Sequence, residues 1–416
     1  MFALVDGNNF YVSCERVFNP TLDGKPVVVL SNNDGCIISR SNEAKALGFK
    51  MGEPVFKRKE LIEQNNVSVF SSNYTLYGDM SNRMMKTLKE FSPEVEVYSI
   101  DEAFLDLTGI QGNLEEYGQT IRATVYKNLG LPVGIGIANT KTLAKIANKI
   151  AKKQNGVFVI DSERIRDWAL RNTPIEDVWG IGRQYAKMLT TMGVHTAYDF
   201  TRLDSNWVKD RMTVVGQRTR EELLGLSCIS LETIVKSKKN IATTRAFGKK
   251  LSDINTIAEA VATHAVRCAE KLRKQQSVAN FVTVFIHTDP FNPNEKYIYR
   301  SVTVTMDEAS NSNPDLAKAA LAGLRKIYTP NILYKKAGVI VSEISSEKNI
   351  QGNLFKTTDR EKLNKISKVT DSLNAKYGRD KLKLAVQGNK KEWTLKQQKL
   401  SPCFTTRWED ILKVKA

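Results

Sequence analysis

Histidine is scarce in this chain, with three in 416 residues. The five cysteines, Cys14, Cys36, Cys228, Cys268 and Cys403, form no C-x-x-C pair. These two shortages together argue against a structural zinc site, which gathers four closely spaced Cys and His ligands. Scattered thiols with no framework spacing suit a reducing, cytoplasmic setting. No apolar run approaches the roughly 18 residues of a membrane span, and Met1 leads into strand-like sequence with no signal-peptide pattern, so no membrane role is expected. Acid is in deficit, at 45 Asp and Glu against 62 Lys and Arg, which leaves a net charge of +17. That balance suggests a polyanionic partner, nucleic acid or a membrane surface.

What is present is enough apolar sequence, 41%, to fold, over a length that suggests about three domains. The stretch around which the rest is organised is Tyr98–Leu107, YSIDEAFLDL. Its ends alternate as half-buried strands do, and between them stand two adjacent carboxylates, Asp101 and Glu102. On a regular strand, neighbours point to opposite faces. At a hairpin bend they can share a ligand, although an acidic turn in water reads the same way. A second stretch, MFALVDGNNFYVSCERVF, gives a short strand ending at Asp6 and then a helix bearing Tyr11. Three carboxylates collected at the end of one sheet repel each other unless cations lie between them, and hard oxygen ligands suit Mg²⁺.

Three motifs occur in order: D-x-x-x-F-Y at Asp6–Tyr11, S-I-D-E-A-F at Ser99–Phe104, and G-I-G-I-A-N-T-K-x-L-A-K at Gly134–Lys145. Together they resemble the Y-family translesion DNA polymerases, most closely the UmuC group. The resemblance implies an α+β multi-domain right hand: palm (1–18 and 73–163), fingers (19–72), helix-hairpin-helix thumb (164–234) and ferredoxin-like little finger (241–347). A basic linker (235–250) that overlaps the first little-finger strand and a C-terminal extension (348–416) complete the chain. It also implies error-prone, template-directed transfer of dNTPs to a primer 3′-hydroxyl by two Mg²⁺ ions, with Mn²⁺ able to substitute, in an SOS-type damage response. Asp6 and Asp101 would bridge the ions, the Gly7 carbonyl would join the nucleotide-side ion, and Glu102 would hold the ion that activates the hydroxyl. Tyr11 falls at the family's steric gate, which excludes a ribose 2′-hydroxyl; a plain core aromatic is the alternative. Ser39, Lys45 and Lys152 match triphosphate contacts, with Lys45 standing where many relatives have arginine.

The remaining sequence adds detail. A helix from Asn73 to Phe91 carries Tyr74, Tyr77, Met84, Leu88 and Phe91 on one side, which reads as core. After the Leu131–Ile137 strand, Asn139 or Thr140 caps a helix whose Leu143, Ile146, Ala147 and Ile150 face inward; Lys141, Lys145, Lys149 and Lys152 line the other side. Of these, Lys152 is the expected ligand and the others a solvated electrostatic background. From Pro174, the run Trp179-Gly-Ile-Gly-Arg183 and the following helix resemble a helix-hairpin-helix. There Gly180, Gly182 and Arg183 would meet a DNA phosphate without reading sequence. Residues 235–250 hold six Lys or Arg and no acid. Beyond them a β-α-β-β-α-β pattern suggests a sheet face where Thr243, Arg245, Thr283, Arg300, Thr303 and Thr305 meet a duplex backbone. Gln351, Leu354 and Phe355 resemble a sliding-clamp docking pentapeptide. The extension implies further partners, processed UmuD-like subunits and a RecA-type filament. Two rival readings differ in class. One is a catalytically inactive DNA-binding or clamp-adapter protein. The other is a helix-hairpin-helix glycosylase or lyase, for which Tyr198–Asp199 would supply the acid.

Overall fold

The structure is a computed structural model that describes residues 1–234, 236–350, 359–389 and 392–413. The chain divides into two compact units, Met1–Val235 with Gln398–Ala416, and Lys236–Gln397.

The first unit holds strands β1 (Phe2–Gly7), β2 (Val27–Leu30), β3 (Ile37–Arg40), β4 (Ser68–Ser71), β5 (Val95–Val97), β6 (Glu102–Asp106), β7 (Val133–Ala138) and β8 (Val157–Ile160). The main sheet runs β5-β6-β1-β7-β8, and a smaller one runs β3-β2-β4. Apolar Ala3, Leu4 and Val5 are fully enclosed because β1 lies mid-sheet, antiparallel to both β6 and β7. The helix Tyr74–Leu88 buries Tyr77, Met84 and Leu88 and is capped by the Asn73 carboxamide, which accepts from the Leu76 N–H. Tyr74 departs from the expected core stripe and is 45% exposed.

The helix Lys141–Ala151 is capped by Thr140 and buries Leu143, Ile146 and Ala147 against the sheet. Its other side is not a solvated lysine stripe. Lys141 is 1% exposed, ion-paired to Glu96, with its ammonium 4.9 Å from the Phe104 ring centroid. Lys145, Lys149 and Lys152 each pair with a different carboxylate.

The second unit is built on β9 (Ile241–Leu251), β10 (Ser277–His287), β11 (Tyr299–Ser310) and β12 (Tyr334–Ser346), with helices Ile254–Lys274 and Asn313–Ile327. The sheet order is β11-β10-β12-β9, antiparallel throughout, so each β-α-β crossover straddles one strand. Val282, Val284, Ile286, Val339 and Val341 pack against the helices. On the opposite face the Thr283 and Thr303 hydroxyls bond across strands at 2.8 Å, with Thr305 two residues on. Arg245 and Arg300 are exposed but do not share that face. In register, Arg300 lies opposite Ile286 and Arg245 opposite Ala337, on the helix side at the sheet's two edges. Thr243 lies on the helix side too, where it is buried. The reason is parity: positions an odd number apart on one strand point to opposite faces.

His264, on the first of these helices, is buried edge-on to Trp393 at 5.6 Å, and its Nε2 has no partner among the described residues. Burial, then the charges of Arg245 and Lys271, push its pKa down to about 3. The folded unit thus refuses a proton that the unfolded chain takes up near 6.5. The stability this confers is complete above about pH 6.5 and declines as pH falls toward the folded value. Between pH 7 and pH 5 the unit should lose about 2 kcal/mol from this group alone. His264→Leu should flatten that part of a Tm-against-pH curve; an unchanged slope would show that other groups control it.

The helix Arg360–Tyr377 packs on the same unit through a bidentate Arg273–Asp371 pair, both contacts 2.7 Å. Farther on, the chain rejoins the first unit, where the Ser71 N–H donates to the Lys399 carbonyl at 2.8 Å and Phe404 stacks on Phe18 at 4.8 Å.

Candidate active site

Strand pairing brings the three acids to one sheet edge. Asp6, near the end of β1, is the register partner of Glu102, which opens β6, so their Cα atoms are about 5 Å apart and their side chains share a face. The Gly7 N–H donates to the Asp101 carbonyl at 2.8 Å, which fixes the preceding bend to the same edge. Ser99 shapes that bend: its hydroxyl donates to Asp101 Oδ1 at 2.7 Å and accepts from the Asp101 and Glu102 N–H groups.

Two lysines of the Gly134–Lys152 stretch face these acids. Lys152 Nζ lies 2.7 Å from Asp6 Oδ2, and Lys145 Nζ lies 2.8 Å from Glu102 Oε1. Lys145 is further held over Tyr98 (4.4 Å to the centroid) and Trp179 (5.4 Å). Burial raises the Asp6 pKa to about 6; Lys152 opposes the rise, and Glu102 and Asp101 reinforce it. Among the described residues, no three His, Cys, Asp or Glu side chains converge as a ready ligand set. Two of the three carboxylates are instead turned onto lysines.

Beside this edge is a cavity of about 350 Å³, lined by Asp6, Gly7, Asn9, Tyr11, Ser39, Arg40, Lys45, Asp101 and Lys152 among others. All four residues expected to contact nucleotide (Tyr11, Ser39, Lys45 and Lys152) line it. Lys45 Nζ donates to Asn9 Oδ1 at 2.6 Å, and Asn9 holds a left-handed conformation (φ 49°) at the start of the Phe10–Phe18 helix. The Lys45 ammonium is held below the usual lysine range by burial, then by Arg40 and Lys152, with Asp6 opposing. Three mutually repelling cations facing one cavity form an anion site. Arg40 donates to the Phe49 carbonyl at 2.6 Å, while its buried Nε has no partner among the described residues. The nearly buried Ser39 hydroxyl donates to the Asn9 carbonyl at 3.4 Å.

Tyr11 forms the cavity's aromatic wall. It stacks on Tyr77 (4.5 Å between centroids, 16°) and meets Tyr74 edge-on at 6.0 Å. Burial, then Tyr74 and Asp101, push its phenol up to about 12, so it remains neutral.

In the predicted hairpin, Gly180 is left-handed (φ 94°) and exposed Gly182 caps the Arg183–Thr191 helix, with Arg183 exposed at its first position. Trp179 donates from its indole to the Tyr98 hydroxyl at 3.1 Å. Asp199, the acid a glycosylase would need, is engaged in structure: it accepts from the His195 and Thr196 N–H groups and completes a capping box. The clamp-type residues Gln351, Leu354 and Phe355 lie outside the described residues.

Comparison with known proteins matches residues 5–149 to the impB/mucB/samB family and 238–354 to that family's C-terminal domain. Over its whole length the chain is 45% identical to UmuC of Salmonella typhimurium, covering all of that protein. The chain belongs to the UmuC group of the Y-family DNA polymerases. SamB of Salmonella typhimurium is 40% identical, with 99% of each chain covered. Among solved structures, a Y-family chimera of Dbh and Dpo4 shares the fold, with TM-score 0.66 and 22% identity over 83% of this chain and 100% of that one. Residues 364–414 match a domain of unknown function.

Asn9 and Arg40 line the cavity without having been expected there, and Lys145, expected only as solvated background, is ion-paired to Glu102. Lys145 was accessible to sequence reasoning, since it stands seven residues, two helical turns, before Lys152 and so shares its face. Arg40 was not, because nothing in its surroundings marks it apart from other arginines.

Proposed function

We propose that this polymerase performs error-prone translesion synthesis in an SOS-type damage response, extending a primer from dNTPs on template DNA with two divalent ions, Mg²⁺ or Mn²⁺. The observation that carries the reading is the cavity itself, with carboxylates on one wall, three cations on another and a flat aromatic ring between. In this reading, residues 1–18 and 73–163 act as palm, 19–72 as fingers, 164–234 as thumb and 241–347 as little finger. A sliding clamp, UmuD-like subunits and a recombinase filament would be its protein partners.

The donor set fits hard cations. Asp6, Asp101, Glu102 and the Gly7 carbonyl offer only oxygen, and Asp101 and Glu102 add like charge beside the buried Asp6 carboxylate. Bound there, the ions would acidify the primer hydroxyl and stabilise the charge on the departing pyrophosphate. The protein's own groups do the rest. Lys45, Arg40 and Lys152 neutralise and orient the triphosphate, Ser39 offers a hydroxyl to it, and the Tyr11 ring fills the space a 2′-hydroxyl would need. Lys145 and Lys152 neutralise Glu102 and Asp6, two of the carboxylates that would hold the ions.

Primer extension by the purified protein, with Mg²⁺, with Mn²⁺ and with neither, tests the reading. Extension only with a divalent ion supports it; DNA binding with no extension in any condition would favour the adapter reading. Arg40→Ala should raise KM for dNTP about ten- to hundredfold with kcat changed far less, since a charge-assisted contact to phosphate is worth roughly 1.5–3 kcal/mol. An unaltered KM would remove Arg40 from the phosphate site.

A further inference from the structure

Among the residues that the matched domain of unknown function sends into the first unit's interior is Ser401. Ser401 is nearly buried, and its hydroxyl donates to Glu15 Oε1 at 2.9 Å. The same oxygen accepts from the Tyr77 hydroxyl at 2.6 Å. Glu15 is 2% exposed and lies one helical turn beyond Tyr11 on the Phe10–Phe18 helix. Tyr77, itself fully buried, is the ring on which Tyr11 stacks. Ser401 is fixed in turn by Asn73, whose carboxamide donates to the Ser401 carbonyl at 2.9 Å and to its hydroxyl at 3.1 Å.

We infer that Ser401 is a positioning residue for sugar selection: through Glu15 and the Tyr77 hydroxyl it sets the plane of the Tyr11 ring. The inference rests on the reading of Tyr11 as the steric gate. A stacked pair can slide in its own plane, because offset geometries differ little in energy. A hydroxyl anchored on a buried carboxylate removes that freedom for Tyr77 and hence for the ring lying on it. Glu15 has no solvent to replace a lost donor, so each of its two bonds matters to where its oxygen sits. Burial raises its pKa, against the two hydrogen bonds that lower it, which agrees with a carboxylate dependent on those donors.

The test compares kcat/KM for ribonucleotide and deoxyribonucleotide insertion by the full chain with Mg²⁺, at a temperature well below every variant's Tm. Ser401→Ala should raise the ribo/deoxy ratio about fivefold, chiefly through ribonucleotide KM, with deoxynucleotide insertion little changed. Tyr77→Phe, which keeps the stack and loses only the hydroxyl, should raise it similarly. Ser401→Thr should retain discrimination, and Tyr11→Ala should relax it most. If Ser401→Ala lowers Tm, or fails to fold, and Tyr77→Phe leaves the ratio unchanged, the contact is a brace only and the inference is overturned. An unchanged ratio in Tyr11→Ala would remove the gate itself, and the inference with it, whereas a relaxed Tyr11→Ala beside unaltered Ser401→Ala and Tyr77→Phe overturns the inference alone.

Discussion

Asp6→Asn or Asp101→Asn should reduce primer extension by about a thousandfold or more, the scale on which loss of a single preorganised electrostatic group acts at a reacting centre. Each substitution preserves shape, removes the charge that would hold a divalent ion and exchanges one acceptor oxygen for an NH2 donor. Stability should move differently. At pH 7.5 Asp6 is ionised against the cost of its own burial and two neighbouring acids, with Lys152 the chief compensation. Neutralising it removes that cost along with the ion pair, so Tm should shift by no more than a few degrees. A variant that is inactive yet as stable as the parent places the group in chemistry rather than in folding. Equal loss of activity and stability would mean that the edge is merely structural. Retained extension would dismiss the proposed mechanism.

Gly136→Ala should destabilise the first unit by about 3 kcal/mol, or roughly 10 °C in Tm. A Cβ there would lie 2.0 Å from the Asn148 amide nitrogen and 2.3 Å from the Ala144 carbonyl oxygen. These are backbone atoms of the Lys141–Ala151 helix, so no rotamer change relieves the clash; helix and strand must part. The same helix carries Lys145 and precedes Lys152, so primer extension should fall together with stability. Gly134→Ala is the internal comparison. Its Cβ would meet the flexible Lys152 side chain at 3.0 Å, and a smaller loss of stability is expected. Equal thermal stability of Gly136→Ala and the parent would contradict the helix–strand contact described.

Asp6 and Glu102 were legible in the sequence because an apolar strand leads up to the one and away from the other, and Asp101 because it stands in the bend beside Glu102; a sheet edge is where such ends collect. The β-α-β-β-α-β order of the second unit was legible for the same reason. What periodicity could not supply was the identity of partners. Lys141 looks like any other lysine on an amphipathic helix, and only Glu96, far back in the chain, explains why it is buried. Arg300 was grouped with Thr303 and Thr305 by chemistry, although strand parity assigns it to the other face, the helix side that Arg245 and Thr243 share. Tyr74 fitted the core stripe yet is half exposed, edge-on to Tyr11. The contacts of Asn73 with Ser401 left no trace at all: a short irregular segment has no period, and its partners are more than three hundred residues away.

That last separation bears on how the protein is made. The inner wall behind the Phe10–Phe18 helix is completed by Ser401, Cys403 and Phe404. During translation these residues leave the ribosome long after the strands they cover, and after the whole of the second unit. The nascent catalytic unit must therefore wait with Glu15 and Tyr77 uncovered on that side, while the intervening unit can already fold. A ribosome that stalls before the codon for Ser401 yields a chain that has every acid of the site but lacks the wall behind it.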